Sequence, residues 1–367
     1  MQRNLLFLIV CCGGLLAFRA SVFPSAPSRL RPATHVDVAA LRPAVDRVDA
    51  AFEQSWREQN LTPARAAPDL TLARRVSLAL TGTIPSLEEI RHFESLPARE
   101  RLDQWIAERL ADRRSADYMA ERWARAFVGV DDGPFLLFRR RRFVSWLADQ
   151  LSSNQPYDRI VEHLIADSGL WTDTPATNFI TVTIQADQDK GPDPNQLAAR
   201  VSRAFLGVRL DCAECHDHPF ESWKQRDFRS LAAFFGTTRH SLRGIRDVPG
   251  DYQVENRSTG KLETVPCGVP FAHNLLADQG SPRHRLAAWV THPDNRPFAR
   301  EAVNRAWALL FGRPLVEPID NLGASGPFPP ALEILADDFV DHAYDWQRLL
   351  RVIASTKAFR ADSKTDP

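Results

Sequence analysis

The sequence predicts a mainly α-helical protein, two helical domains joined by a loop-rich connection that carries a small β-hairpin. Three observations predict it. Apolar residues recur at three- and four-residue spacing through most of the chain, helix-start signals precede several of those runs, and Gly, Pro, Thr and Ser gather in one stretch, 237–282, where the periodicity fades. The chain has 367 residues, 44% hydrophobic and 25% charged. That is the composition of a folded globular protein, and at roughly 150 residues per domain it allows about two domains.

The N-terminus comes first. Met1-Gln2-Arg3-Asn4 precedes an apolar run from Leu5 to Phe18, broken only by Gly13 and Gly14 and closed by Arg19. A charged start and a short apolar core read as a signal peptide or an N-terminal anchor over 1–20. The run falls short of the roughly 20 residues a membrane-spanning helix needs. Export to the periplasm or cell envelope is therefore expected, with membrane contact only through such an anchor. Residues 21–40, with Pro24, Pro27 and Pro32 among Ala, Ser and Arg, read as a linker.

A helical domain is expected over 41–237. Ser86 and Glu89, just after Pro85, form a capping box that starts one helix. Leu102, Trp105, Ile106 and Leu110 share a helical face, as do Met119, Trp123, Phe127 and Val130, and then Phe143, Trp146, Leu147 and Leu151. Tyr157, Ile160, Val161, Leu164 and Ile165 continue the pattern over 156–168, and Leu197, Val201, Phe205, Leu206 and Val208 resume it over 195–209. In the connection, 238–282, Tyr252–Glu255 and Lys261–Val265 read as the strands of a short hairpin. Helical periodicity returns at 283–291, 297–312, 330–343 and 345–357, the C-terminal helical domain at 283–367.

Charge excludes one class of partner. The chain carries 46 basic and 46 acidic side chains, and nucleic-acid binding normally leaves a basic excess or patch. Only five of the basic residues are Lys. The run Arg139–Arg142 fans around most of a helix, so it reads as a solvated face with scattered ion pairs rather than one compact anion site; binding to an anionic glycan is the functional alternative. Phosphate-cradling, dinucleotide, nucleophile-elbow and zincin motifs are absent.

The chemistry concentrates in the cysteines. Cys11 and Cys12 lie in the N-terminal apolar run, which leaves Cys212, Cys215 and Cys267, too few for a disulfide framework. Asp211-Cys212-Ala213-Glu214-Cys215-His216-Asp217-His218-Pro219-Phe220 contains C-x-x-C-H, the attachment signature of c-type haem. Two cysteines one turn apart can each bond a vinyl group of the porphyrin, and the adjacent His216 can turn under the iron as proximal ligand. Met119 sits on an apolar helix face and reads as core rather than as a distal ligand. His163, His240, His273, His284 and His292 are the remote histidines from which a distal ligand could come, and an open sixth site is equally allowed. Trp223, Phe228, Phe234 and Phe235 could supply an apolar wall for a porphyrin but read more simply as core. Two other readings stay open: a zinc or non-haem iron site completed by residues such as His218, Cys267 or His273, and a C-x-x-C disulfide.

The chain resembles the planctomycete cytochrome-c-related domain family (domain of unknown function 1549), followed by its C-terminal companion (domain of unknown function 1553). The first resemblance runs from about 40 to 237. It rests on Arg75-Val76-Ser77-Leu78-Ala79-Leu80-Thr81-Gly82-Thr83-Ile84-Pro85-Ser86, on Glu121-Arg122-Trp123-Ala124-Arg125, and on Phe205–Leu210 leading into Cys212–Phe220. The second covers about 268 to 362, through Val303-Asn304-Arg305-Ala306-Trp307 and Phe311-Gly312-Arg313-Pro314-Leu315-Val316. The resemblance implies haem at Cys212, Cys215 and His216 in an exported protein; the expected role is electron transfer or a redox reaction, with a redox partner protein or an envelope component as partner. It assigns no biochemical activity. Many relatives carry a separate N-terminal cytochrome domain with a C-x-x-C-H of its own; this sequence has none.

Overall fold

The computed structural model describes residues 38–130, 138–184, 191–219, 221–255 and 260–364. The expected signal or anchor segment and most of the linker therefore lie outside the described residues. Among those described, the fold is mainly helical, with two small two-stranded antiparallel sheets.

The chain enters through α1 (Arg42–Glu58) and α2 (Asp69–Thr81), which stops at Gly82 in the left-handed region, φ 70°. Only glycine fits there, because a Cβ would lie 2.5 Å from the Tyr118 ring. The expected capping box starts α3 (Leu87–Ser95): Glu89 N–H donates to Ser86 Oγ at 3.2 Å and Ser86 N–H to Glu89 Oε2 at 2.8 Å. There follow α4 (Arg101–Ala111) and α5 (Arg113–Val128), the latter capped by Asp112. Next come α6 (Arg140–Ser152), α7 (Tyr157–Ala166), the single turn α8 (Asn178–Thr181), and α9 (Pro194–Phe205) capped by Asp193. Helix α9 ends four residues before the expected limit, because Gly207 reverses the chain at φ 59°. Helix α10 (Gln225–Ala232) completes this half.

In the connection, β3 (Gln253–Glu255) pairs antiparallel with β4 (Leu262–Thr264), the hairpin expected from sequence. A second hairpin, β1 (Thr238–Ser241) with β2 (Gly244–Asp247), is not legible in the sequence. Its turn, Leu242-Arg243, lacks the Asn-Gly or Asp-Gly signal of a two-residue hairpin loop. It is held from outside, by a bridge between Ile245 and Gly169 whose two N–H···O bonds measure 2.8 and 2.9 Å. Helices α11 (Pro282–Val290), α12 (Arg296–Phe311), α13 (Pro330–Asp341), α14 (Trp346–Ser355) and α15 (Lys357–Arg360) finish the chain.

One hydrophobic cluster runs through both halves. At its centre Trp123 of α5 meets Trp346 of α14 edge to face at 4.8 Å and Tyr157 of α7 at 5.2 Å, aromatic geometry that adds to the burial of three large side chains. Helix α13 packs on α1 and on α12. Arg75 donates to the carbonyls of Phe359 and Ala361 at 2.5 and 2.8 Å, closing the first helices on the last. Arg283, wholly buried, spends its guanidinium on Asp247 at 2.7 Å, on the Ile165 and Asp167 carbonyls, and on Ser168 Oγ. A buried charge is tolerated only when paired and hydrogen-bonded in this way, and here it joins α7, β2 and α11.

Candidate haem-attachment site

The Cys-His segment is held by what surrounds it. After Gly207 the chain runs beside residues 320–323: Leu322 N–H donates to Gly207 O at 2.7 Å, Arg209 N–H to Asn321 Oδ1 at 3.0 Å, and the Arg209 guanidinium forms a two-pronged pair with Asp320. That pair raises Arg209 above its ordinary value. Residues Asp211–Glu214 form one 3-10 turn, and Ala213, fully buried, anchors it in the core. Residues i and i+3 eclipse in such a turn, so Cys212 and Cys215 share its outer side; both are exposed free thiols.

Helix α10 clips the segment from beneath. Gln225 Nε2 donates to Glu214 O at 3.1 Å and Cys215 O at 2.7 Å, and Gln225 N–H to Asp217 Oδ1 at 3.0 Å. That N–H and Lys224, 3.2 Å away, hold the Asp217 carboxyl below the usual carboxylate range. Asp211 is pushed the other way by burial, despite Arg203 at 3.4 Å.

His216 is exposed and its Nδ1 lies 2.7 Å from Asp217 O. A carbonyl can only accept, so Nδ1 carries a proton; in the neutral ring this leaves the lone pair on Nε2, the arrangement a metal-binding imidazole requires. His218 has another task. Its N–H donates to Trp223 O at 2.8 Å and its Nδ1 accepts from Glu221 N–H at 3.0 Å, which locks the turn into α10. Cys267 is half-buried, and burial pushes its thiol up. Among the described residues no three His, Cys, Asp or Glu side chains gather as ligands for one ion. The centre that would add His218 or Cys267 to Cys212 and Cys215 is not assembled here.

Other sequence candidates lie in the core or hold local partners. Met119 is 2% exposed inside the main cluster, and Trp223, Phe228, Phe234 and Phe235 are likewise buried. His163 pairs with Asp167 at 3.0 Å and His284 with Ser281 at 2.7 Å. Burial lowers His240, while His273 and His292 lie near the surface. The arginine run divides its contacts. Arg140 forms a two-pronged pair with Glu121, Arg142 donates to Thr172 O at 2.5 Å, and Arg139 lies over the Trp171 ring.

The donor set fits a covalently attached haem: two free thiols on one side of a turn, and an imidazole whose Nε2 is available to a metal. Enclosure is slight. The cavity beside the turn is about 90 Å³, edged by polar side chains such as Asn195, Glu214 and Arg229, against roughly 300–1,000 Å³ for a cofactor pocket. The sequence signalled the motif but not its clip: Gln225 acts through backbone carbonyls, which no spacing rule reports.

Two family models match the chain. One, described as PSCyt2, protein of unknown function (DUF1549), matches residues 47–240, more than half of the chain. The other, described as PSD1, protein of unknown function (DUF1553), matches residues 282–367. No curated protein matches the chain, and neither does any solved structure.

Proposed function

We propose, for a chain that belongs to the PSCyt2 family of proteins of unknown function (DUF1549) and ends in a PSD1 segment, a haem-binding role in electron transfer or a redox reaction outside the cytoplasm. Cys212 and Cys215 would hold haem c through their thiols, and His216 Nε2 would ligate its iron. One observation carries this reading: the turn presents both thiols free on one side while the Asp217 carbonyl fixes His216 in the ligand tautomer. Bound there, haem would supply a one-electron couple, with its potential set by the axial ligand and by exposure to water. The chain's own residues do the positioning. Ala213 seats the turn, Gln225 ties its carbonyls to α10, and the Arg209–Asp320 pair ties its entry to the segment before α13. The electron partner is a protein or envelope component of the exported compartment.

The test is haem-linked peroxidase staining after denaturing electrophoresis, on protein exported from a host with c-type maturation machinery. The proposal expects a stained band that Cys212→Ser and Cys215→Ser each weaken and the double variant loses. Stain that survives the double variant refutes attachment.

A second reading takes the chain as an envelope or anionic-glycan binding module in which the Cys-His turn is a structural clip. It is favoured by the backbone groups of 214–218 already tied by Gln225 and Trp223 and by the His218 ring tied by Glu221 N–H. It expects no stain, with stability falling when Gln225 is truncated.

A further inference from the structure

Five arginines converge on a cleft behind the Cys-His turn. Arg125, Arg200, Arg203, Arg209 and Arg305 line a cavity of about 520 Å³, with Asp320 as the one acidic lining residue among those described. A second lobe of about 340 Å³ adds Arg122 and shares Arg125, Arg305 and Ile319 with the first. Together they have the size of a small-molecule site, roughly 300–1,000 Å³.

The charges in the cleft do not cancel. Arg209 is neutralised by Asp320, Arg203 lies 3.4 Å from Asp211, and Arg305 is paired with Glu301. Glu121 is divided between Arg125 and Arg140. Arg200 and Arg122 have no acidic partner among the described residues; the Arg200 guanidinium donates to the Phe127 carbonyl at 3.2 Å and stands one helical turn from Arg203. Burial and the neighbouring Arg203 pull Arg200 below its ordinary value. Arg305, 12% exposed, keeps a buried Nε with no partner among the described residues. Gathering guanidiniums in a partly desolvated cleft without counter-charge is unfavourable unless an anion completes it. Among the described residues the uncompensated charge is at least two, and the guanidinium fork suits tetrahedral oxyanions and carboxylates.

We propose that this cleft is a binding site for a small ligand carrying a phosphate or sulfate group. Arg200 and Arg122 supply the unpaired charge, Arg305 offers its free donor, and the half-buried Ile319 and Leu309 give the ligand's body an apolar floor. The site is independent of haem attachment.

The experiment is calorimetric titration, at constant ionic strength, of the full chain and of its Cys212→Ser variant. The probes are inorganic phosphate, sulfate and phenyl phosphate. Saturable one-to-one binding is expected in both proteins, with phosphate and sulfate competing. Tighter binding of phenyl phosphate identifies an esterified ligand that uses the floor, and equal binding identifies the free ion. Arg200→Gln is expected to weaken binding at least about tenfold, the loss of one charge-assisted hydrogen bond. The exposed Arg243→Gln leaves it unchanged. Should Arg200→Gln unfold, Arg122→Gln on the outer lobe carries the same expectation. Absence of saturation, equal binding in the folded cleft variants, or loss of binding in Cys212→Ser overturns the proposal.

Discussion

Replacing Glu301 by Gln removes a carboxyl that the fold keeps in an unfavourable place. Glu301 lies on α12 with no exposed surface; one oxygen is paired with Arg305 and Oε2 has no partner among the described residues. Burial raises its pKa from 4.5 to about 7, outweighing Arg305. Between those values the native state retains a proton that the unfolded chain gives up. Stability therefore falls as pH rises from 4.5 to 7, and the whole penalty is present above 7. Each unit is worth about 1.4 kcal/mol, so the shift withdraws about 3 kcal/mol. Glutamine resembles the protonated acid and does not titrate. In urea unfolding from pH 4 to 8.5, Glu301→Gln should match the wild type near pH 4 and exceed it by about 3 kcal/mol at pH 8. Parallel curves would refute the reasoning. A wild type that gains on the variant as pH rises would show that the Arg305 pair outweighs desolvation.

Three further outcomes follow from the same geometry. Tyr157 is 1% exposed and its hydroxyl has no partner among the described residues, so Tyr157→Phe should leave thermal stability unchanged or raise it by about 1 kcal/mol; a loss of stability would reveal a partner for the hydroxyl. Gln225→Ala removes two side-chain bonds to the Glu214 and Cys215 carbonyls and should cost about 1–2 kcal/mol, with faster amide exchange confined to the Cys-His turn; unchanged exchange there would contradict the clip. Gly244 sits at φ 83° and a Cβ would lie 2.0 Å from Gly169 O, so Gly244→Ala should cost about 3 kcal/mol in a denaturation experiment; a neutral variant would mean that the Gly169–Ile245 bridge is dispensable.

Local signals made the helices legible. Ser86 and Glu89 bond to each other's backbone, and the apolar faces through Trp105, Trp123 and Leu147 are buried. What the sequence hid depends on distant segments. The β1–β2 hairpin is stitched by Gly169, some 75 residues upstream, and α9 stops where Gly207 meets Leu322. At the candidate site the motif was plain, as were the core roles of Met119 and the four aromatics. The 3-10 geometry, the Gln225 clip and the Asp217 carbonyl behind His216 were not, because each rests on backbone groups that no residue pattern encodes. The arginine cleft was hidden for a further reason. Its members come from α5, α9, the turn that follows and α12, so no run of charge announces it.

The measurement that bears most directly on the account is the pyridine haemochrome spectrum of the full chain, exported from a host that matures a control cytochrome c. Attachment through Cys212 and Cys215 predicts the α band of a haem whose two vinyl groups are saturated, at one haem per chain. A colourless protein beside a correctly matured control would contradict it and leave the Cys-His turn as a structural clip.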